Sequence, residues 1–388
     1  MDYFLSEELV ELRDLARQFA EESIKPVRAK YDETGEFPWD IMKQLAAMDF
    51  FRIYIDEEYE GMGMGSMGLV LVTEELSRIC GGIALGFAGT ALGVMPLLVA
   101  GNEEQKKKYL PDLAAGKMLA GFGLTEPEAG SDAGSIKTTA VPDGDHYVLN
   151  GTKHFITNGG VAKFYTVIAK TNPAKGSRGA SAFIVEEGTP GFSYGKKEDK
   201  MGIRASATSE LVFEDCRIPK ENLLGKEGMG FLIAMRTLDR SRPGVAAQAL
   251  GIAQGAFDHA VEYARQRVQF GQPISAFQAT QFKFADMATE IEAARALIYQ
   301  VSKMIDAGSN DFSKESAMAK LYASEVAMKV ATQAVQIFGG YGYMKEYPIE
   351  KYMRDAKITT IYEGTSEIQR GVIGLSVIKE AAKRKPVL

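Results

Sequence analysis

The sequence predicts an α+β chain that is mostly α: an N-terminal helical domain (1–116), a middle β-barrel or sandwich domain (117–225) and a C-terminal four-helix bundle (226–388). Apolar residues recur every three or four positions through the first of these stretches and again after Gly228. Between them the pattern changes to short β-branched and aromatic runs broken by turn residues. With 388 residues, 46% of them hydrophobic, the chain is long enough for two or three domains around a large core.

The first helix is expected from Ser6 to about Lys30. Ser6, Glu7 and Glu8 make a start signal, and Leu9, Leu12, Ala16, Phe19 and Ala20 share one stripe. A short helix over 39–50 turns Ile41, Leu45 and Met48 inward. Gly63, Gly65 and Gly68 then spell G-x-G-x-x-G, but acidic residues 56–60 stand where a strand should precede it, and no acid lies in 83–101. A flexible loop is expected there, and a dinucleotide site is not. Helices resume over 69–77 and 83–100. The second is uncharged over a membrane-spanning length, yet Gly86, Gly89, Gly93 and Pro96 suit close packing in a buried core helix better than exposure to lipid. Asn102 and Gln105 form a capping box for the next helix.

In the middle domain, turn signals at 141–145, 149–152 and 158–160 surround a strand at 146–149, and further strands are expected over 164–169, 182–185 and 210–213. In the last domain, Ile291, Ala294, Ile298, Val301 and Ile305 step by three and four, as do Met328, Ala331, Val335 and Phe338.

A net charge of -6 without any basic cluster argues against nucleic acid as the partner. Cys80 and Cys216 have no paired spacing, and His146, His154 and His259 are scattered, so neither a disulfide framework nor a metal site is suggested. Free cysteines and an N-terminus without signal-peptide features point to the cytoplasm.

Chemistry centres on residues 361–370. Glu363 lies between a β-branched flank and a helix starting near Ser366, with Thr365 as N-cap and Gly364 giving freedom before it. Burial there would raise its carboxyl pKa toward neutrality, as a proton-abstracting base needs. Taken alone, the same residue reads better as a solvated residue or a first-turn charge favoured by the helix dipole. Four other segments stand out: the polar loop 122–132, the strand and turn 153–160, the stretch 265–271 with Arg267 near Phe270, and the glycine-capped helix end 336–342. Each by itself is ordinary local structure.

In this order, and over essentially the whole chain, they resemble the acyl-CoA dehydrogenase family. Residues 215–225 are similar in texture to its short-chain or butyryl-CoA members. The resemblance implies FAD between the β domain and the C-terminal helices, with Phe122, Leu124, Thr125, Ser131, Phe155, Ile156 and Thr157 around the isoalloxazine ring and Thr365 and Glu367 also facing the cofactor. Phe155 stands where many relatives carry tryptophan. A partner subunit would supply Arg267, Phe270, Phe277, Gln278, Gln336, Gly339 and Gly340 to the phosphates and adenosine.

Glu363 is implied as the base that removes a proton α to a thioester while hydride leaves the β carbon for the flavin. Some relatives carry their base at the position of Ser241, and a serine there sharpens the assignment to Glu363. Ser131, Asp239, Arg242, Tyr362 and Gly364 match substrate-contacting positions. The uncharged wall with Ala84, Gly86, Ala88 and Gly89 speaks against a dicarboxylic acyl chain. A short-chain saturated acyl-CoA is expected, with a branched, cyclic or aryl group as the alternative. Electrons are expected to pass to an electron-transfer flavoprotein, against the alternatives of a flavin oxidase or a non-catalytic acyl-CoA-binding scaffold. The family likeness implies a homo-oligomer, at least a dimer and expected as a tetramer.

Overall fold

Residues 3–383 are described by a computed structural model; the outermost ends of the first and last expected domains, 1–2 and 384–388, lie outside the described residues. Helix α1 (Glu7–Phe19) starts where the Ser6 hydroxyl accepts the Leu9 N–H. The expected single helix to Lys30 is interrupted: a π-helical turn spans Ala20–Ile24, and α2 (Arg28–Thr34) follows as a separate helix. α3 (Trp39–Ala47) buries Ile41 and Leu45, but Met48 lies past its end and is exposed rather than inward.

α4 (Gly65–Ile79) begins four residues before the expected start at 69. Its first turn takes up the second half of the glycine cluster, because the Asp306 carboxylate accepts the N–H groups of Ser66 and Met67 at 2.6 and 2.9 Å. The chain thus supplies its own anion to that helix start. Replacing Asp306 with Ala is expected to cost about 1–2 kcal/mol, seen as a lower denaturant midpoint at unchanged slope.

α5 (Gly81–Ala100) is the long apolar helix, and 67% of its apolar stretch is buried inside the protein. Gly93 explains how close it packs: a Cβ there would lie 2.5 Å from the backbone nitrogen of Gly121. α6 (Glu103–Ala114) carries the capping box of Asn102 and Gln105.

The middle domain holds β1 (Ala120–Gly123), β2 (Thr139–Asp143), β3 (His146–Thr157), β4 (Phe164–Lys170), β5 (Ala180–Glu186), β6 (Phe192–Lys197), β7 (Thr208–Pro219) and β8 (Leu223–Leu224). One half runs β6-β7-β3-β2 and the other β1-β4-β5-β8, joined at the single parallel pair Thr139–Lys170. The turn expected at 149–152 is instead a bulge inside β3, where the register steps between Leu149 and Gly151 and a Cβ on Gly151 would meet Thr138 Oγ1 at 2.5 Å. A second step between Lys153 and Ile156 puts Phe155 in the left-handed region at φ +58° and leaves it 60% exposed.

The C-terminal helices are α7 (Gly230–Gln266), α8 (Gln278–Asp306), α9 (Ser313–Phe338), α10 (Ile349–Thr359) and α11 (Ser366–Ala382). Two apolar cores result. One joins the N-terminal helices to the sheet, and the other joins Met67, Val70 and Leu71 of α4 to the bundle. Between these cores α5, the β-domain loops, α7 and the link from α10 to α11 come together.

Candidate active site

The link between α10 and α11 has six residues in which to reverse direction. It does so by placing Glu363 and Gly364 at φ +50° and +92°. For glutamate that conformation costs about 1–2 kcal/mol, so neighbours must hold it. Gln369 Nε2 donates to the carbonyls of Glu363 and Gly364 at 3.0 and 3.1 Å, and Lys320 Nζ donates to that of Gly364 at 2.7 Å. Thr365 caps α11 by accepting the Ile368 N–H. Tyr362 donates to the Gln248 carboxamide, which in turn donates to the Gly81 carbonyl at the start of α5.

Held this way, the Glu363 carboxylate accepts a hydrogen bond from the Ser241 hydroxyl at 2.7 Å. Burial raises its pKa above the ordinary glutamate value, against the opposing pull of the Ser241 bond and the charges of Arg242 and Lys320. Arg242 is 4% exposed, unlike the solvated arginine usual on a helix. It pairs with Asp239 at 2.5 Å, and its Nε is buried without a hydrogen-bond partner among the described residues.

Across the cleft, the loop after β1 is fixed by a buried ion pair. Lys153 Nζ donates to Glu126 Oε1 at 2.7 Å and to the Leu124 carbonyl at 3.1 Å. Glu126 also accepts the N–H groups of Lys137 and Thr138. Burial pushes the Lys153 amine down to about 8 despite its partner. For Glu126 burial acts upward, but the Lys153 charge and these hydrogen bonds outweigh it and hold the carboxyl below its ordinary value. The His154 N–H donates to the Thr125 carbonyl at 2.8 Å, joining loop to strand.

The resulting cleft has a volume of about 450 Å³. It is lined by Phe122, Leu124, Thr125, Ser131, Phe155, Ile156 and Thr157 from the β domain and by Ser241, Arg242, Tyr362, Glu363 and Gly364 from the C-terminal helices. Phe122 lies on β1 rather than in the loop. Leu85, Ala88, Gly89, Leu92 and Met95 of α5 form the apolar wall, whereas Ala84 is buried in the core behind it.

Other expected site residues lie elsewhere in the single chain. Thr365 and Glu367 line a separate hollow between α9 and α11. Arg267, Gly339 and Gly340 share a third hollow of about 490 Å³, with the Arg267 guanidinium 5.6 Å from the Tyr341 ring centre. Phe270 is 95% exposed and meets Phe277 edge-on, while Gln278 and Gln336 are exposed.

Sequence reasoning missed Lys320 and Gln248, which sit in regular helical patterns with no spacing to mark them, the task of Gln369 within the stretch 361–370, and the pairing of Glu126 in the loop 122–132 with Lys153 in the strand 153–160. It also missed the grouping of His154 with Glu198 and Glu210. That group has one imidazole, and its Glu198 pairs with Lys196 at 3.1 Å.

Models of the N-terminal, middle and C-terminal domains of acyl-CoA dehydrogenase match residues 6–117, 121–216 and 228–378. Butyryl-CoA dehydrogenase from Megasphaera elsdenii is 48% identical, with a TM-score of 0.95 over 97% of this chain and 100% of that one. A chain of the structure described as the electron transferring flavoprotein of Acidaminococcus fermentans is 50% identical, with a TM-score of 0.96 over 98% of this chain and 100% of that one. An acyl-CoA dehydrogenase complexed with FAD from Bacillus anthracis is 36% identical, with a TM-score of 0.92 over 98% of this chain and 68% of that one. Matched in all three domains and superposed along nearly its whole length, this chain belongs to the acyl-CoA dehydrogenase family of oxidoreductases.

Proposed function

We propose that the protein is a cytoplasmic, FAD-dependent dehydrogenase that interconverts a short-chain acyl-CoA and its trans-2-enoyl-CoA and exchanges electrons with an electron-transfer flavoprotein. The strongest support is the position of Glu363, whose desolvated carboxylate, hydrogen-bonded by Ser241, opens on the same cleft as the residues expected around the ring. The cleft also fits the cofactor chemically. Phe122, Leu124 and Ile156 offer apolar surface to a flat ring, Thr125, Ser131 and Thr157 offer hydroxyls to its polar edge, and Arg242 keeps an unpaired buried N–H for an anionic group. Short-chain use is supported by the butyryl-CoA dehydrogenase relative, and the flavoprotein partner by the relative described with that name.

FAD, when bound, accepts the hydride from the β carbon. Glu363 takes the α proton, and its backbone N–H helps hold the thioester oxygen. Ser241 aims the carboxylate, while Tyr362, bound to Gln248, fixes the approach to α5. Ser131, Arg242, Tyr362 and Gly364 line the substrate side of the cleft, with Tyr362 and Gly364 flanking the base, and Asp239, outside the lining, holds Arg242 near the substrate and its CoA. Thr365 and Glu367 extend the cofactor surface beyond the cleft. Arg267, Phe270, Phe277, Gln278, Gln336, Gly339 and Gly340 serve the cofactor of a partner subunit, which accounts for their absence from the cleft lining in one chain and for the exposure of all but the half-buried Phe277. Exposed apolar residues such as Leu375 and Ile378 on α11 support an oligomer, a tetramer in our reading. Both cysteines are buried and unpaired, as suits a reducing compartment.

A panel of linear, branched, cyclic and aryl acyl-CoA thioesters, scored anaerobically by loss of flavin absorbance, tests the reading. Butyryl-CoA is expected to bleach fastest. Faster bleaching by a branched, cyclic or aryl thioester would reassign the acyl group, and no bleaching by any member would sink the activity.

A further inference from the structure

The turn that carries Glu363 rests on a lysine to which nothing above gives a chemical task. Lys320, on α9, is fully buried, and its Nζ donates to the Gly364 carbonyl at 2.7 Å. Among the described residues no carboxylate forms an ion pair with it; Glu363 and Glu367 act on it only through space, and Arg242 on α7 opposes them. The charges facing the Glu363 carboxyl are Arg242 and Lys320, and its hydrogen-bond donor is Ser241. Asp239 is engaged by Arg242, and Tyr362 is turned to Gln248. Gln369 reaches the same Gly364 carbonyl at 3.1 Å, so the turn has a second, neutral clamp. What Lys320 adds beyond Gln369 is positive charge in a poorly solvated place, where it acts through space on Glu363 with little screening.

We propose that Lys320 is a positioning residue for proton abstraction: its bond to the Gly364 carbonyl fixes the left-handed turn, and its charge keeps the Glu363 carboxylate ionised. The proposal rests on the reading of Glu363 as the base. Burial pushes the Lys320 amine down to about 8, which leaves it largely protonated at neutral pH. The chain thus carries, behind its catalytic turn, a cation that partly offsets the upward push of burial on the carboxyl.

The test compares Lys320→Met, Lys320→Gln and Lys320→Arg in the FAD-loaded enzyme, following anaerobic flavin reduction by saturating butyryl-CoA across pH. Removing the charge, with Met or Gln, is expected to move the acid limb up by about 1 pH unit and to slow reduction about tenfold at pH below that limb. Arg, which keeps the charge, is expected to leave the limb in place. A readout independent of turnover is the infrared carboxyl band lost in Glu363→Gln, whose titration should rise by the same interval in Lys320→Met and Lys320→Gln. An unmoved limb and band in the Met variant overturn the proposal; should that variant not fold, the Gln variant decides on the same criterion. Normal bleaching by Glu363→Gln would instead refute the base assignment, so the two failures are distinguishable.

Discussion

Glu363→Gln is expected to fold, to bind FAD and stay yellow, and to lose roughly 10²–10⁴-fold or more in the rate of flavin reduction by butyryl-CoA. Glutamine is nearly isosteric with the acid, and its amide oxygen can still accept the Ser241 hydroxyl now found at 2.7 Å from the carboxylate. The turn is held through main-chain carbonyls by Gln369 and Lys320, so the substitution leaves its supports intact. What disappears is the capacity to take a proton. The pH dependence follows from the same group. Burial raises the Glu363 pKa, so the wild-type rate should fall on the acid side at a pH above the ordinary glutamate value. The stability linkage has the opposite slope. A carboxyl whose folded pKa is raised favours the folded state below its unfolded pKa, and that contribution is lost as pH rises through the folded value. Glu363→Gln should therefore melt higher than wild type at neutral pH and gain less in acid. Stopped-flow bleaching and melting curves check both, and a variant that bleaches at the wild-type rate would remove Glu363 from the chemistry.

Lys153→Met carries the largest expected stability effect, about 3–5 kcal/mol, because breaking a buried pair from one side leaves an uncompensated charge. Glu126 would keep two backbone N–H donors but lose its cation, and the loop holding Leu124, Thr125 and Ser131 would lose both Lys153 bonds to β3 and keep the main-chain bond from His154 to Thr125. Weaker FAD retention should accompany the fall in denaturant midpoint. Lys153→Met combined with Glu126→Gln should recover a good part of both, since no lone charge is then buried. Acid should weaken the pair in the wild type: the Glu126 pKa is lowered, so its contribution holds above the ordinary value and fades as pH falls through the folded one. A Lys153→Met protein with an unchanged midpoint would show that the pair does not secure the loop.

Much of this was legible in sequence because local signals and tertiary demands agreed. Ser6, Asn102 and Thr365 act as the caps their side chains suggest, and the apolar stripes of α8 and α9 face the bundle. Where a distant residue settles a local question, the sequence was silent. The start of α4 depends on Asp306, and nothing near Gly65 announces it. Asn150 and Gly151 look like a hairpin turn, yet strand pairing with β7 carries them through as a bulge. The expected ring residues meet Glu363 in one cleft, but of the groups that set the turn's geometry Lys320 comes from α9, where no local pattern marks it, and Gln369, inside the stretch 361–370, shows its task only once the turn is folded.

The contact of Gly93 with β1 has a practical corollary for anyone reshaping the hydrocarbon slot. α5 is pressed tightly on the sheet: enlarging Gly93 runs into the backbone of Ala120 and Gly121 and displaces β1, and enlarging Gly89 runs into the Thr157 side-chain methyl 2.6 Å away. On the opposite side Gly244 of α7 borders the same space, and an added methyl there would find its nearest neighbour, Leu69, 3.8 Å away. Mutant libraries aimed at acyl selectivity should therefore vary α7 and leave the glycines of α5 alone.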